Sequence, residues 1–148
     1  MFLVTGGTGF IGKRVVAQLL SKNIQVIATD INTDNEKDSF EKYLSTKGVS
    51  IKDLELLELD ISSKENLSKI FKNYKISNII ACGYQMSNLI DNNPIKGAEV
   101  NIVGMTNLFQ AVVDNKIHRM VFPSSQSVYG KSSKLFNDKP IHEDDYCG

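Results

Sequence analysis

Residues Thr5 to Gly12 read T-G-G-T-G-F-I-G, with glycines at 6, 9 and 12. They follow a short apolar run, Met1–Val4, and open a helical pattern over residues 10–21. A strand, a glycine-rich turn and a helix in immediate succession leave few ways to fold. The turn must be tight, and the helix must begin close against the strand end. Its first N–H groups have no intrahelical partner and sit at the positive end of the helix dipole. Such a terminus accepts a phosphate anion, and glycine lets the anion reach the backbone. The spacing alone is a weak signal. Its place between strand and helix points it to the pyrophosphate of a dinucleotide. Two other readings stand beside this one. Gly7 to Lys13 fits the start of a P-loop, G-x-x-x-x-G-K, but Arg14 occupies the place of the magnesium-holding Ser or Thr. A tight glycine turn without a ligand is the plainer alternative.

The rest of the chain alternates in the same way. Apolar runs at 2–4, 24–28, 54–59, 78–82 and 119–122 read as strands. Helical patterns lie over 10–21, 35–47, 63–73 and 94–114. Ser62 or Ser63 can cap the third helix, and Pro94 suits the first position of the fourth. This order predicts an α/β fold with a doubly wound parallel sheet covered on both faces. Residues 124–148 turn polar and read as loop. A doubly wound dinucleotide fold has six strands, and five are found here, so the sheet is expected to be truncated after the fifth.

The 148 residues suffice for one domain with a core. Lys plus Arg total 17 and Asp plus Glu total 17, a balance that points neither to nucleic acid nor to a membrane surface. No apolar run is long enough to span a bilayer, and Met1 leads straight into the first strand, so no signal peptide is expected. Cys82 and Cys147 match no metal spacing and read as free thiols of a cytoplasmic protein. No metal site is expected: His118 reads as a surface residue, and His142 belongs to a solvated acidic run, Glu143-Asp144-Asp145.

Asp30 ends the second apolar run, eighteen residues beyond Gly12. A carboxylate there can accept from both adenosine ribose hydroxyls and would repel the 2′-phosphate of NADP, which favours NAD. The alternative is a solvated strand-end acid. Asp60 ends the third run in the same manner. Its side chain and the Ile61 amide could meet an adenine ring, or Asp60 could be an ordinary loop carboxylate.

Taken in order, these motifs resemble one family over essentially the whole chain. T-G-G-T-G-F-I-G, Asp30, Asp60-Ile61, N-I-V-G-M-T-N-L-F-Q-A (101–111) and S-S-Q-S-V-Y-G (124–130) are similar to the extended short-chain dehydrogenase/reductases, in particular the NAD-dependent epimerase/dehydratases of nucleotide sugars. The resemblance implies an NAD(P)-binding Rossmann fold over 1–148. In that fold Gly6, Gly9 and Gly12 shape the phosphate turn, and Phe10 and Ile11 offer amides to the pyrophosphate. Asp30, with Ile31 beside it, holds the adenosine ribose; Cys82 and Gly83 line the cofactor; Asn101 orders the site from its helix. Ser125 matches the active-site Ser or Thr that hydrogen-bonds the reacting substrate oxygen. Tyr129 and Gly130 shape the turn after the strand. The resemblance also implies a homodimer through the 94–114 helix.

The chain departs from the family in three places. Ala81-Cys82-Gly83-Tyr84 stands where His-Leu-Ala-Ala is common, with a bulky Tyr84. Pro123 precedes the serine pair and should end the strand by Phe122. The catalytic Y-x-x-x-K is absent; Tyr43-x-x-x-Lys47 has the spacing but lies in the wrong region. The expectation is therefore the N-terminal, NAD-binding part of an epimerase/dehydratase-type enzyme, without its catalytic helix and substrate-binding region. The alternative is a dinucleotide-binding module or sensor without catalysis.

Overall fold

A computed structural model describes residues 1–129 and 141–144. Five strands, β1 (Phe2–Thr5), β2 (Val26–Asp30), β3 (Leu54–Glu58), β4 (Asn78–Ala81) and β5 (Arg119–Val121), form one sheet. Every pairing is parallel and the order is β3-β2-β1-β4-β5. The helices are α1 (Gly12–Leu20), α2 (Thr33–Thr46), α3 (Lys64–Asn73), α4 (Ser87–Asn92), α5 (Pro94–Ala98) and α6 (Met105–Asp114). A π-helical segment, Glu99–Gly104, joins α5 to α6, and a 3₁₀ turn, Gln126–Tyr129, follows β5. This is the doubly wound parallel sheet that the strand–helix alternation predicts. Gly130, Asp145, Tyr146 and Cys147 lie outside the described residues.

Several boundaries differ from the sequence reading. The first helix starts at Gly12 rather than residue 10, because Gly9 to Ile11 still belong to the turn. The second strand lies at 26–30 rather than 24–28. The Ile24 amide is spent on the Leu19 carbonyl, and Asn23, at φ 56, turns the chain off the helix. Of the two candidate caps for α3, Ser63 is the one used; its hydroxyl accepts from the Asn66 amide. The fourth helix is not continuous over 94–114: it runs as α5, the π segment and α6. Helix α4 and the 3₁₀ turn have no counterpart in the sequence reading.

Two apolar layers hold the sheet. On one face Val4, Val26 and Ala28 pack against Val16, Ala17 and Leu20 of α1 and Phe40 and Leu44 of α2. On the other, Leu3, Ile27 and Ile79 meet Leu67 and Ile70 of α3, Val100, and Leu108 of α6. One face is thus covered by α1 and α2 and the other by α3, the π segment and α6, and the strands β1, β2 and β4 are apolar on both sides, as a parallel sheet requires. The chain leaves β1 in one direction through β2 and β3, then crosses back to place β4 on the other side of β1. The point of reversal lies between the carboxyl ends of β1 and β4, where α/β sheets bind ligands.

Candidate functional site

The glycine turn fills that point of reversal. Gly6 has φ +63, which favours glycine, and a Cβ on it would lie 2.6 Å from the Gly83 amide nitrogen. The two strand ends therefore approach to a distance that admits no side chain. A Cβ on Gly12 would lie 2.0 Å from the Gly6 carbonyl oxygen, so α1 can start against the turn only with glycine there. The Gly7 amide ties the turn to β2 by donating to the Thr29 carbonyl at 2.9 Å. Among the described residues, the amides of Phe10 and Ile11 donate to no backbone or side-chain acceptor. The two residues are 73% and 53% exposed. Unspent N–H groups at a helix N-terminus beside an open glycine turn are groups that can receive an anion.

Asp30 is held at the end of β2. Its Oδ2 accepts from the Thr8 hydroxyl at 2.7 Å and from the Thr8 amide at 3.3 Å, and its Oδ1 accepts from the Ile31 amide at 2.9 Å. The acid is thus fixed to the glycine turn rather than left solvated and free to rotate. The Ile31 amide is already engaged by Asp30, and the Ile31 side chain is exposed.

Asp60 stands at the neighbouring strand end, since the Leu59 amide donates to the Asp30 carbonyl at 2.9 Å. Its Oδ1 accepts from the Ser62 amide at 2.9 Å and the Ser62 hydroxyl at 2.6 Å. Its Oδ2 accepts from Lys96 Nζ at 2.9 Å. Partial burial pushes the carboxyl up, but the Ser62 and Lys96 hydrogen bonds and the Lys96 charge outweigh it and hold it below its ordinary range. The Ile61 side chain is buried in the core, so only its backbone faces the site; its amide has no partner among the described residues.

The helical run from α5 to α6 grips both loops. Asn101, in the π segment, accepts from the Gln85 amide at 2.8 Å and donates to the Gln85 carbonyl at 3.0 Å. It thereby clamps the loop after β4. Asn107 donates to the carbonyls of Ile61 and Ser62 at 3.2 and 3.0 Å, and a Cβ on Gly104 would meet Ile61 at 2.6 Å. The Cys82 and Gly83 amides donate to the Thr5 carbonyl and hydroxyl oxygens, at 2.9 and 3.4 Å, and tie the strand end to β1. Burial pushes the Cys82 thiol up, so it stays protonated at neutral pH. Tyr84 is exposed.

Ser125 lies apart from the glycine turn in sequence and follows β5. Its hydroxyl oxygen accepts from the Ser127 amide at 3.1 Å. It lines a cavity of about 460 Å³ with Ser124, Val128, Tyr129 and Ile141. Tyr43 and Lys47 sit in and just after the last turns of α2, where Lys13, Arg14 and Lys47 crowd the Tyr43 ring at 5.2 to 5.7 Å. Lys47 is exposed, and Tyr43 packs partly buried against the core layer formed with α1 and α2.

The family model described as "NAD dependent epimerase/dehydratase family" matches residues 2–146. The chain belongs to this family. It is 32% identical over 135 residues to the bifunctional UDP-glucose 4-epimerase and UDP-xylose 4-epimerase 1 of Pisum sativum, covering 90% of this chain and 39% of that protein. The UDP-glucose 4-epimerase of Thermus thermophilus, solved with NAD, superposes with a TM-score of 0.78 at 24% identity. That match covers 96% of this chain and 42% of the other. The enzyme from Bifidobacterium longum, solved with NAD+ and UDP, gives 0.80 at 23% identity over 99% of this chain and 42% of its own. These structures share the Rossmann fold seen here. The chain spans about two fifths of the length of these epimerases.

The residues present fit the family's cofactor: a glycine turn with two unspent amides, an acid fixed at the end of β2, and an acid–amide pair at the next strand end. The sequence reading gave no site role of their own to Thr8, Gln85, Lys96 and Asn107, and offered Ser62 only as a helix cap. Ser62 carried a local signal, because an Asp side chain closes an Asx-type turn on the amide two residues on, and Asp60 does so on the Ser62 amide. Lys96 carried none.

Proposed function

We propose that the chain is the NAD-binding part of an epimerase/dehydratase-type oxidoreductase acting on a nucleotide sugar. The observation that carries this reading is the pair of unspent amides, Phe10 and Ile11, above a turn that admits no side chain at Gly6 or Gly12. A pyrophosphate fits there. Asp30, anchored by Thr8, offers its remaining acceptor positions to the adenosine ribose diol and disfavours a 2′-phosphate. Asp60 accepts from the adenine amino group while the Ile61 amide donates to a ring nitrogen. Asn101 keeps the loop after β4 in place along the cofactor. NAD, once bound, supplies the acceptor for a hydride from a sugar carbon. Ser125 orients the substrate hydroxyl in its cavity, and proton removal falls to a separate base.

Calorimetric titration with NAD tests the cofactor part. The intact chain binds, and Gly9→Val, which places a side chain over the cradle, lowers the affinity at least tenfold. Equal affinity in the variant contradicts the site. The enzyme part is tested in a longer form carrying Y-x-x-x-K. There Ser125→Ala slows turnover and leaves NAD affinity unchanged; unchanged turnover sinks its role. A dimer through the α5–α6 run belongs to the same proposal, supported by Ile95, Ile102, Phe109 and Val113 exposed along it. So does a cytoplasmic location. No helix among the described residues is long and apolar enough to cross a membrane.

A further inference from the structure

We infer that Lys96 is a positioning residue for the adenine end of the site, clasping the Asp60 carboxylate so that one acceptor position faces the ligand. The inference rests on the reading of Asp60 given above. A carboxylate has about four lone-pair positions. Ser62 takes two with its amide and hydroxyl, both on Oδ1. Lys96 takes one on Oδ2 at 2.9 Å. A single position remains, on the oxygen that Lys96 holds. Without Lys96 the carboxylate keeps its hinge on Ser62 but gains a second free position, and water competes for both.

Lys96 is suited to this task by its own anchoring. It is the third residue of α5, and its amide donates to the Asn93 side chain that caps the helix, at 3.1 Å. Its ammonium also meets Glu99 at 3.4 Å, three residues on, where the π segment begins. The ammonium therefore stands between two carboxylates, one on the strand-end loop and one on its own helix. The same helical run holds Ile61 and Ser62 through Asn107 and Gln85 through Asn101. Lys96 is the member of this run that reaches the charged group of the loop. The Asp60–Lys96 pair is about one third exposed on each side, so its direct contribution to stability is small. Its effect lies in geometry.

A double-mutant cycle on the 148-residue chain tests this, with NAD and ADP-ribose as ligands and calorimetry as the readout. Lys96→Met weakens both ligands by about five- to tenfold, the net worth of one ordinary hydrogen bond. Nicotinamide mononucleotide, which lacks adenine, binds both proteins alike. Lys96→Arg restores most of the affinity. In an Asp60→Asn background, Lys96→Met has no further effect, because the residue acts through the carboxylate. The inference is overturned by unchanged NAD affinity in Lys96→Met, or by an equal loss in the Asp60→Asn background. It is also overturned by an equal loss for nicotinamide mononucleotide. If the unaltered chain fails to bind NAD, it is instead the reading of the site that fails.

Discussion

At the scale of single residues, the glycine turn is governed by contact distances. A methyl group on Gly12 has nowhere to go: the Gly6 carbonyl lies 2.0 Å from its Cβ position. Gly12→Ala should destabilise the fold by about 1–3 kcal/mol through forced separation of turn and helix. Gly48→Ala is the control. It has φ +66 with open space around it, and should cost about 1 kcal/mol from backbone conformation alone. Urea unfolding of both separates the two effects. Thr29 gives a prediction of opposite sign. Its buried hydroxyl has no hydrogen-bond partner among the described residues, so Thr29→Val should raise stability by about 1 kcal/mol. A clear loss would show that the hydroxyl has found a partner. Glycines and strand-end acids were legible in the sequence because their roles are set by near neighbours. Lys96 was not, because its partner lies 36 residues away and nothing local marks a lysine for that contact.

At the scale of elements, the run from α5 to α6 was legible as helix but not as a broken one. Val100, Val103, Leu108, Ala111 and Val112 satisfy near-helical spacing, and such spacing does not distinguish i→i+4 from i→i+5 hydrogen bonding. The π segment places Asn101 on Gln85 while Gly104 and Asn107 stay on the Ile61–Ser62 loop. Helix α4 was missed because six mostly polar residues lie far below the length at which a helix announces itself. Ser63→Ala should cost α3 about 1 kcal/mol by removing its cap. The link between α5 and β3 depends on pH. Asp60 is held below its ordinary pKa, so its stabilising contribution is present above the unfolded value, near 3.9, and is lost as pH falls through the folded one. The stability difference between the native chain and Lys96→Met, about 0.5–1 kcal/mol at pH 7, should shrink below pH 4. A difference that grows on acidification contradicts the assigned sign.

At the scale of the whole molecule, the parallel sheet sets the site at one edge. β1 and β4 diverge in connection at the glycine turn, and β2 and β3 end beside it in Asp30 and Asp60. Four loops from distant parts of the chain therefore meet there, and the fold class alone foretold that meeting. Which atoms would be spent inside it, such as Thr8 on Asp30 or the Ile31 amide on the same acid, depends on side-chain packing that periodicity does not encode. In the proposed function, this edge binds NAD through an acid, Asp30, that refuses a 2′-phosphate. The most direct measurement is parallel titration of NAD and NADP into the chain and into Asp30→Ala. The structure predicts NAD bound at least tenfold more tightly than NADP by the native chain, and a preference that collapses in Asp30→Ala. Equal binding of the two cofactors by the native chain, or a preference that survives the substitution, contradicts it.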